Sequence, residues 1–488
     1  MMSRRLLKAA DMNPPASHSL LDSSPFDRSD LALTVALAIV AALVILPGLG
    51  AQSLANWDEA IYGVVTREFL AQPGLTLRYG DRLWFEKPPF AFWLMAASSS
   101  VFGLTEFALR LPSAIFGITA IVLQYLAGRR LGGRTAGLLA AVLLLGIPQF
   151  VAYSRLAMID VPLTTLGMLS VVLLLWAKEK PSLMILGGAV FGLAILTKSV
   201  AAFLFLPGLL SIAFAQHGIR FLHSREIGLA TVLALAVALP WHIWSTVTYG
   251  RSFLDQYFGF HIVNRFLRPL EDHQGSSLYS LKTYFHNTGF LAPVHAAGIA
   301  LAAALAIVKR DRLLAAASIL PLAAFTIVSL QETKIGAYLT PVCPGAALAA
   351  ALGITSLLHN GRSRVSVLLL ATLLAMPGIA SGRGRFVESF DILVFSPEVR
   401  SLRDKKVFAS GRVPLLYTFG VAEPALRFYL ADQIQAIGEM ELARLIARDE
   451  PFLCLTYSSE AAKFARKQPD SRLEIVASTE SLVLIGYP

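Results

Sequence analysis

The chain has 488 residues, of which 55% are hydrophobic and only 15% are charged. A soluble globular protein carries about 25% charged residues, so this composition excludes an ordinary soluble domain and indicates a chain dissolved largely in lipid. The net charge of +10 would suggest nucleic-acid binding in a soluble protein, but here the basic residues lie in short loops between apolar runs. We therefore attribute the charge to orientation in a membrane and expect no nucleic-acid partner.

The first 30 residues are polar, with Arg4, Arg5 and Lys8 near the start, and no cleavable signal precedes the apolar run from Leu31 to Gly50. We expect residues 1–30 to be a cytoplasmic N-terminus followed by a retained membrane helix. The two cysteines, Cys343 and Cys454, lie in a helix-like and a strand-like run. This usage indicates neither a disulfide framework nor a zinc site.

Apolar runs fill residues 31–380, and each membrane-spanning helix needs about 20 such residues. They predict an all-α polytopic membrane protein with about eleven transmembrane helices. A further run, Phe90 to Gly103, has only about 14 residues and follows two prolines, which is typical of an interfacial or re-entrant helix. The predicted spans begin near residues 31, 108, 135, 161, 183, 200, 227, 288, 313, 335 and 365.

The positions of the basic residues test this count, because cytoplasmic loops are enriched in lysine and arginine. With the N-terminus inside, every second connection is cytoplasmic, and all five such connections are basic. Counting the run at Phe90 as a span would reverse the pattern. The two long connections, residues 52–89 and 241–287, then lie in the periplasm. The basic residues are Arg129, Arg130, Arg134, Lys178, Lys180, Arg220, Arg225, Lys309, Arg310, Arg312, Arg362 and Arg364.

Residues 381–488 have a different pattern, in which short strand-like runs alternate with helix-like runs. This alternation predicts a small soluble α/β domain, which the topology places in the periplasm. The strand-like runs are Val407–Ala409, Phe452–Thr456, Leu473–Val476 and Leu482–Ile485, and the helix-like runs are Glu439–Ala447 and Ser459–Lys467. No nucleotide-binding loop is found in the chain.

Acidic residues occur at two places on the predicted periplasmic side. Asp58 and Glu59 follow the first span, and Asp160 lies between two spans. Both places have a structural explanation, because carboxylates are solvated at helix ends and Asp160 is well placed to cap a helix that continues through Pro162. A functional role is compatible with it, since the start of a helix also attracts a bound phosphate.

Basic residues occur on the same side. Glu86 and Lys87 end the first long connection, where Lys87 either serves a ligand or snorkels to the membrane surface. Lys198 is a lone charge between apolar runs, and burying such a charge costs about 2.5–3.5 kcal/mol, so a functional partner is the default hypothesis and snorkelling the alternative. Lys334 opens the tenth span, and Tyr338 follows one turn later.

His261 and Arg265 lie four residues apart in the second long connection and would share one helix face. A lone histidine is often a packing residue, and the aromatic residues around it are also typical of an interfacial belt. These residues nevertheless fall on the same side as the acids and lysines. A mixed site of acids and cations at a membrane surface suits a ligand with an anionic head and a lipid tail, such as a polyprenyl phosphate, lipid A or a phospholipid.

Taken in order, these segments resemble GT-C fold glycosyltransferases that use lipid-linked sugars, the relatives of dolichyl-phosphate-mannose protein mannosyltransferase and of bacterial aminoarabinose (lipid A) transferase. The resemblance covers about residues 50–350. The matching segments are Asp58-Glu59, Phe85–Pro89, Leu109–Pro112, Asp160, Thr197-Lys198, His261–Arg265 and Lys334–Pro341.

The resemblance implies a GT-C fold and an inverting transfer of one sugar from a polyprenyl-phosphate carrier, without a nucleotide, to a lipid or glycan acceptor. The reaction would take place among membrane lipids, on the periplasmic face of the bacterial inner membrane. Asp58 would be the catalytic carboxylate that deprotonates or orients the acceptor. Asp160 would assist it, and Glu59 is included with them as a candidate.

The resemblance also assigns the binding groups. Lys87, Arg265 and Tyr338 match positions that hold the carrier phosphate, and their charge would stabilise the phosphate as it leaves. The substrate-binding candidates of the chain are Lys87, Lys198, Arg265, Lys334 and Tyr338. Glu86 and His261 match a metal-binding pair of the aminoarabinose branch, and two ligands alone allow a divalent metal ion without requiring one.

Several functions remain open at this point. Lipid A or the lipopolysaccharide core is the first candidate acceptor, and protein O-glycosylation is the second. A transporter or flippase for a lipid-linked sugar is the alternative from another class, although transporters place polar groups near the bilayer midplane within inverted repeats. A non-catalytic envelope assembly protein would tolerate alanine at Asp58, whereas the enzyme would not.

Overall fold

The structure is a computed structural model that describes most of the chain. The described residues are 26–55, 57–271, 273–276, 278–358, 360–383, 416–420, 424–430, 434–447, 452–467, 474–478 and 482–487. The helices up to residue 250 are α1 (Arg28–Ile45), α2 (Asp58–Ala71), α3 (Phe90–Phe102), α4 (Glu106–Leu145), α5 (Pro148–Ser154), α6 (Asp160–Leu175), α7 (Ser182–Lys198), α8 (Leu206–His217) and α9 (Arg225–Tyr249).

The later helices are α10 (Arg251–Phe253), α11 (Arg265–Leu267), α12 (Tyr279–Thr288), α13 (Ala292–Lys309), α14 (Arg312–Leu330), α15 (Val342–Thr355), α16 (Gly361–Arg383), α17 (Pro424–Leu430), α18 (Glu439–Ala447) and α19 (Ser458–Lys467). Four 3₁₀ turns (Ser199–Phe205, Ile219–His223, Gly289–Leu291 and Gly336–Leu339) and one π-helix (Leu254–Asn264) complete the helical part.

Eight helical stretches of the described chain are long and apolar enough to cross a membrane. They bear out the prediction of a polytopic, mostly helical membrane protein. These stretches are Arg28–Ile45, Glu106–Leu145, Ser182–His217, Arg225–Tyr249, Tyr279–Lys309, Arg312–Leu330, Gly336–Thr355 and Gly361–Arg383.

The stretch that forms α4 is two antiparallel helices joined at Gly133. The φ angle of Gly133 is +81°, in the region that glycine adopts most readily. A Cβ placed on Gly137 would lie 2.6 Å from the carbonyl oxygen of Tyr125, whereas a straight helix would separate these residues by about 18 Å. The chain therefore crosses the membrane twice within α4.

A second stretch also turns back, at Ser199, where φ is +53°. Lys198 at the end of α7 contacts the start of α6, whereas Gln216 in α8 donates to the carbonyl of Leu175 at the end of α6. Helices α7 and α8 thus run in opposite directions. With both reversals and the 16-residue α6 included, the described chain makes eleven crossings, as the sequence predicts.

One end of this bundle, which we call the basic face, holds a buried cluster of charges. Asp30 is 0% exposed and accepts hydrogen bonds from Tyr125, Arg129 and Arg134. Asp27 adds a contact with Arg134. These five residues form the basic-face cluster, and they tie the start of α1 to the turn of α4. The predicted loop arginine Arg129 is therefore buried in an ion pair rather than solvated.

The opposite end, which we call the site face, carries the two long connections. Both contain regular structure, because backbone groups at a membrane surface are satisfied most economically within helices and hairpins. The first holds α2 and a short antiparallel hairpin of β1 (Arg78–Tyr79) and β2 (Arg82–Leu83). The segment predicted as a loop at 241–287 is mostly helical, since α9 extends to Tyr249 and the π-helix follows. Helix α3 has 13 residues, short as predicted.

The C-terminal region contains a mixed sheet, consistent with the predicted α/β domain. Its strands are β3 (Leu416–Phe419), β4 (Ile434–Ala436), β5 (Phe452–Tyr457), β6 (Glu474–Ser478) and β7 (Leu482–Tyr487). The order is β4-β3-β5-β7-β6, with β3 parallel to β4 and β5, and β7 antiparallel to β5 and β6. The predicted strand Val407–Ala409 lies outside the described residues.

Candidate functional site

Asp58 is the first residue of α2 and is exposed on the site face. Negative charge is favourable there because it opposes the positive end of the helix dipole. The preceding Trp57 has φ +63°, a conformation that costs a bulky residue about 1–3 kcal/mol and persists only where the surroundings impose it. Asp58 is within electrostatic range of Asp160, Glu86 and Lys87, so residues from three distant segments converge.

Asp160 forms a buried ion pair with Lys198. The Nζ of Lys198 lies 2.6 Å from Oδ1 of Asp160, and the two side chains are only 9% and 1% exposed. Oδ2 of Asp160 is buried without a hydrogen-bond partner. The N-cap role considered for Asp160 is wrong, because α6 begins at Asp160 itself and Ile159 occupies the cap position without a side-chain bond. The carboxylate is turned toward Lys198 instead.

Arg265 and Tyr338 meet beside this pair. The guanidinium of Arg265 donates to the hydroxyl of Tyr338 at 3.1 Å, and the Nζ of Lys198 lies 5.4 Å from the centre of the Tyr338 ring. A cation over an aromatic face is attracted by the ring quadrupole. Helix α7, helix α11 and the Gly336–Leu339 turn therefore bring two cations and a phenol together.

Lys87 and Glu86 lie at the same place, just before α3. Their charged groups are 3.9 Å apart, and their side chains are 15% and 34% exposed. Burial lowers the pKa of Lys87, Glu86 opposes this shift, and the positive charges of Arg265 and Lys198 add to it. Burial likewise raises the pKa of Glu86, while Lys87 opposes that shift. Lys87 is thus held near two other cations, a repulsion that a bound anion would relieve.

We call the converging residues the site cluster: Asp58, Lys87, Asp160, Lys198, Arg265 and Tyr338. His261 adjoins it on the π-helix. Burial, followed by the charges of Lys87 and Arg265, lowers the pKa of His261 to about 3, so the imidazole is neutral at neutral pH and able to bind a metal. Within the described part of the chain, no group of three or more His, Cys, Asp or Glu side chains could hold a metal ion. The pair Glu86 and His261 stays a prediction.

Glu59 lies apart from the site cluster and has a structural environment. It is 1% exposed and forms an ion pair with Arg110, with distances of 2.7 and 2.9 Å. Its carboxylate also accepts from the backbone N–H groups of Ala55 and Ala157. We therefore correct its assignment from a catalytic residue to one that holds α2 in place, because both oxygens are already engaged by the protein.

Lys334 is the second residue that turns away from the site cluster. Its ammonium donates to the carbonyl of Ser329 at 2.8 Å and also to that of Gln331. These carbonyls lie at the C-terminal end of α14, where a positive charge is favourable. We therefore assign Lys334 to the capping of α14 rather than to phosphate binding.

Tyr62 is a site residue that the sequence argument missed. It is 1% exposed, its hydroxyl has no hydrogen-bond partner, and it is within electrostatic range of Asp58, Asp160 and Tyr338. Burial raises its pKa well above the usual value, and Asp58 adds to the shift. The spacing of four from Asp58 in a helix is the signal that could have revealed it.

Known proteins resemble this chain in sequence and in fold. Residues 86–244 match the family model of dolichyl-phosphate-mannose-protein mannosyltransferase. The undecaprenyl phosphate-alpha-4-amino-4-deoxy-L-arabinose arabinosyl transferase of Erwinia tasmaniensis is 28% identical over 251 residues, which are 49% of this chain and 45% of that protein. The chain thus spans about half the length of the curated relatives that it matches.

Two solved structures share the fold. ArnT from Cupriavidus metallidurans, bound to undecaprenyl phosphate, has a TM-score of 0.74 at 19% identity, covering 94% of this chain and 98% of that one. The archaeal oligosaccharyltransferase AglB from Archaeoglobus fulgidus, in complex with an inhibitory peptide and a dolichol-phosphate, has a TM-score of 0.55 at 14% identity, covering 88% and 69%. The predicted fold class is confirmed.

Proposed function

We propose that this chain, which shares the fold of the GT-C glycosyltransferases, belongs to that family and moves one sugar from a polyprenyl-phosphate carrier to an acceptor of the bacterial envelope. The proposal includes a reaction on the periplasmic face of the inner membrane, since the site face lies opposite the basic face and basic loops favour the cytoplasm. Lipid A or the lipopolysaccharide core is the acceptor we propose first. The arabinosyl transferase and mannosyltransferase names of the relatives support a lipid-linked sugar as donor.

One observation carries the proposal: Lys87, Lys198 and Arg265 converge with the phenol of Tyr338, beside the exposed carboxylate of Asp58. Each of these cations has a carboxylate beside it, Glu86 for Lys87, Asp160 for Lys198 and Glu271 for Arg265, so a bound phosphate would join or displace these carboxylates. A phosphate is a suitable counter-charge, and Nε of Arg265 is still without a hydrogen-bond partner. The lipid tail of such a carrier would remain in the adjacent bilayer.

The proposed reaction uses these groups directly. A hydroxyl of the acceptor attacks the anomeric carbon of the sugar, its proton passes to the carboxylate of Asp58, and the bond from that carbon to the carrier phosphate oxygen breaks. The phosphate gains one negative charge as the carrier leaves. Cations already in place stabilise that charge without reorganisation, and direct displacement inverts the anomeric centre. The role of Asp160 is to hold the ammonium of Lys198 in position beside the phosphate.

The acceptor has a second candidate, a protein hydroxyl, because the family model that matches residues 86–244 is described as a protein mannosyltransferase. Either acceptor would attack the sugar through an oxygen atom placed beside Asp58. The two acceptors are distinguished by identifying the glycosylated product, a lipid or a protein, and not by the geometry of the site.

The test is a transfer assay with purified protein in detergent. Synthetic undecaprenyl-phosphate sugars are supplied with either envelope lipids or envelope proteins, and mass spectrometry detects an acceptor that has gained one sugar. We expect Asp58→Asn to lower the initial rate by about 10²–10⁴-fold, the usual contribution of a positioned general base. Asp81→Asn, a change at an exposed aspartate of the same connection, should leave the rate unchanged.

Two results would contradict the proposal. The first is a wild-type protein that consumes no donor with any sugar or acceptor while it moves the carrier across vesicle membranes, which would establish transport. The second is transfer that proceeds equally well in Asp58→Asn, which would remove the carboxylate from the mechanism.

A further inference from the structure

The C-terminal domain makes a hydrogen-bonded contact with the segment that leads into Asp58. Tyr429 of α17 is 8% exposed, and its hydroxyl accepts from the backbone N–H of Leu54 at 2.8 Å. The same hydroxyl donates to Glu106, the first residue of α4, also at 2.8 Å. One phenol thus joins the C-terminal domain, the membrane bundle and the chain four residues before Asp58.

Helix α17 also packs along the body of α2. A Cβ placed on Gly63 would lie 2.8 Å from the Phe428 ring and 2.9 Å from Leu54, so a larger residue here would have to displace one of these side chains. The guanidinium of Arg67 donates to the carbonyl of Arg427 at 2.6 Å. Polar and apolar contacts therefore hold α17 along about one turn of α2, from Gly63 to Arg67.

The two parts share one apolar core. Tyr429 and two residues of the sheet, Leu455 and Leu484, are buried in the same cluster as Leu54 and Tyr62. The C-terminal domain therefore completes the core beneath the start of α2, rather than being joined to the bundle only by a linker.

Residues 52–55 have no regular structure of their own, and the strained Trp57 stands directly before α2. The backbone of residues 52–55 is held from outside. Arg110 donates to the carbonyls of Gln52 and Ser53, and Glu59 accepts from the N–H of Ala55. The N–H of Leu54 lies between these contacts and is held by Tyr429. The position of Asp58 therefore depends on a residue that lies more than 350 positions away in sequence.

We infer that the C-terminal domain is a positioning element of the transferase site, in which Tyr429 and Phe428 hold the Leu54 segment and α2 so that the carboxylate of Asp58 faces the acceptor. This inference rests on the proposed function for its effect on the reaction rate. Its effect on the backbone does not depend on that function. The contacts described above join α17 to α2, to the Leu54 segment and to the start of α4, so we expect its effect to fall on Asp58 and not on donor binding.

The test compares Tyr429→Phe with Tyr417→Phe in the full chain. Tyr429→Phe removes only the hydroxyl that holds Leu54 and Glu106, while Tyr417 packs against Phe452 within the sheet of the same domain. For Tyr429→Phe we expect kcat to fall by about 10- to 100-fold, the effect of a small misplacement of a reacting group, with the donor KM unchanged. Tyr417→Phe should match the wild type in both constants.

Hydrogen–deuterium exchange gives a measurement that needs no activity. Loss of one hydrogen bond should make exchange of the peptide covering residues 52–57 about three- to tenfold faster in Tyr429→Phe, while peptides of α6 and α7 stay unchanged. Gly63→Ala is a second variant, since its new methyl group would displace Phe428 and should reproduce both effects without removing a polar group.

The outcomes separate the two proposals. If exchange at residues 52–57 is faster in Tyr429→Phe than in the wild type, but the wild type transfers no sugar, the contact is supported while the proposed function fails. Transfer by the wild type with equal kcat and equal exchange in Tyr429→Phe would overturn the positioning role. A rise in the donor KM with unchanged kcat would also overturn it, because the contact would then act on carrier binding.

Discussion

The two ends of the membrane bundle both bury acids beside bases, but they differ in how the hydrogen bonds are completed. In the basic-face cluster, both oxygens of Asp30 accept from protein donors. At the site face, Oδ2 of Asp160, Nε of Arg265 and the hydroxyl of Tyr62 are buried without a partner. Both clusters thus bury charged groups, but only in the basic-face cluster are the hydrogen bonds of the buried acid completed by the protein.

This difference has a physical meaning. Nearly all buried polar atoms in proteins are hydrogen-bonded, because an unsatisfied one costs about 1–3 kcal/mol. A cluster that completes its own hydrogen bonds is a structural device, whereas buried polar atoms that the protein leaves without a partner, as at Asp160, Arg265 and Tyr62, are available to a ligand. The same distinction separates the neighbours Glu59, which the protein satisfies fully, and Asp58, which stays exposed.

The largest effect that would sharpen this comparison is expected at Arg265. Arg265→Ala should lower the transfer rate by about 10²–10³-fold, because the leaving phosphate loses a preorganised charge, and the melting temperature should change little. Arg268→Ala is the matched control, an exposed arginine of the same segment. Initial rates and thermal melts in detergent test this, and equal rates for the two variants would refute the phosphate-binding role.

The opposite behaviour is expected at the basic face. Removing one member of a fully buried ion pair costs about 3–5 kcal/mol, and the position of Asp30 near the membrane surface reduces this through solvent screening. Asp30→Ala should therefore lower stability by about 2–3 kcal/mol and leave the rate per folded molecule unchanged.

Asp27→Asn is the control for the basic face, because Asp27 is 51% exposed and exposed pairs contribute little. Denaturant-induced unfolding in detergent measures both variants. An Asp30→Ala protein of normal stability but low activity would mean that the basic-face cluster is functional.

A smaller effect is expected at Glu271, whose two carboxylate oxygens accept hydrogen bonds from the guanidinium of Arg265 at 3.0 and 2.9 Å. A carrier phosphate would compete with this carboxylate, so Glu271→Gln should lower the Kd for undecaprenyl phosphate by about three- to tenfold. Glu332→Gln, a change at an exposed glutamate nearby, should not. Weaker binding by Glu271→Gln would indicate that Glu271 supports the site instead of competing for it.

The smallest effect is expected at Lys334. Because its ammonium caps α14, Lys334→Met should lower stability by about 0.5–1 kcal/mol, with no change in the rate per folded molecule. Lys198→Met should instead abolish most of the transfer. A loss of transfer in Lys334→Met as large as that in Lys198→Met would return Lys334 to the phosphate site.

The sequence by itself determined the membrane architecture. Long apolar runs must form helices in lipid, since the backbone has no other way to satisfy its hydrogen bonds there, and the basic loops fixed which ends lie together. The short helix at Phe90 and the strands near Phe452 and Leu482 were also predictable, because the length and periodicity of a run are local properties of the sequence. The order of the polar segments along the chain, through the family resemblance, also predicted that Asp58, Lys87, Asp160, Arg265 and Tyr338 belong to one site.

Only the tertiary structure decided what each polar side chain does. Asp58 and Glu59 are adjacent in sequence, but the 3.6-residue turn of α2 places one in solvent and the other against Arg110. Lys198 and Lys334 are both lysines beside apolar helices, yet one reaches Asp160 and the other the end of its own preceding helix. The contact of Tyr429 with Leu54 could not be predicted from the sequence. Contacts between residues so distant in sequence depend on how complete domains pack, and no local sequence pattern indicates them.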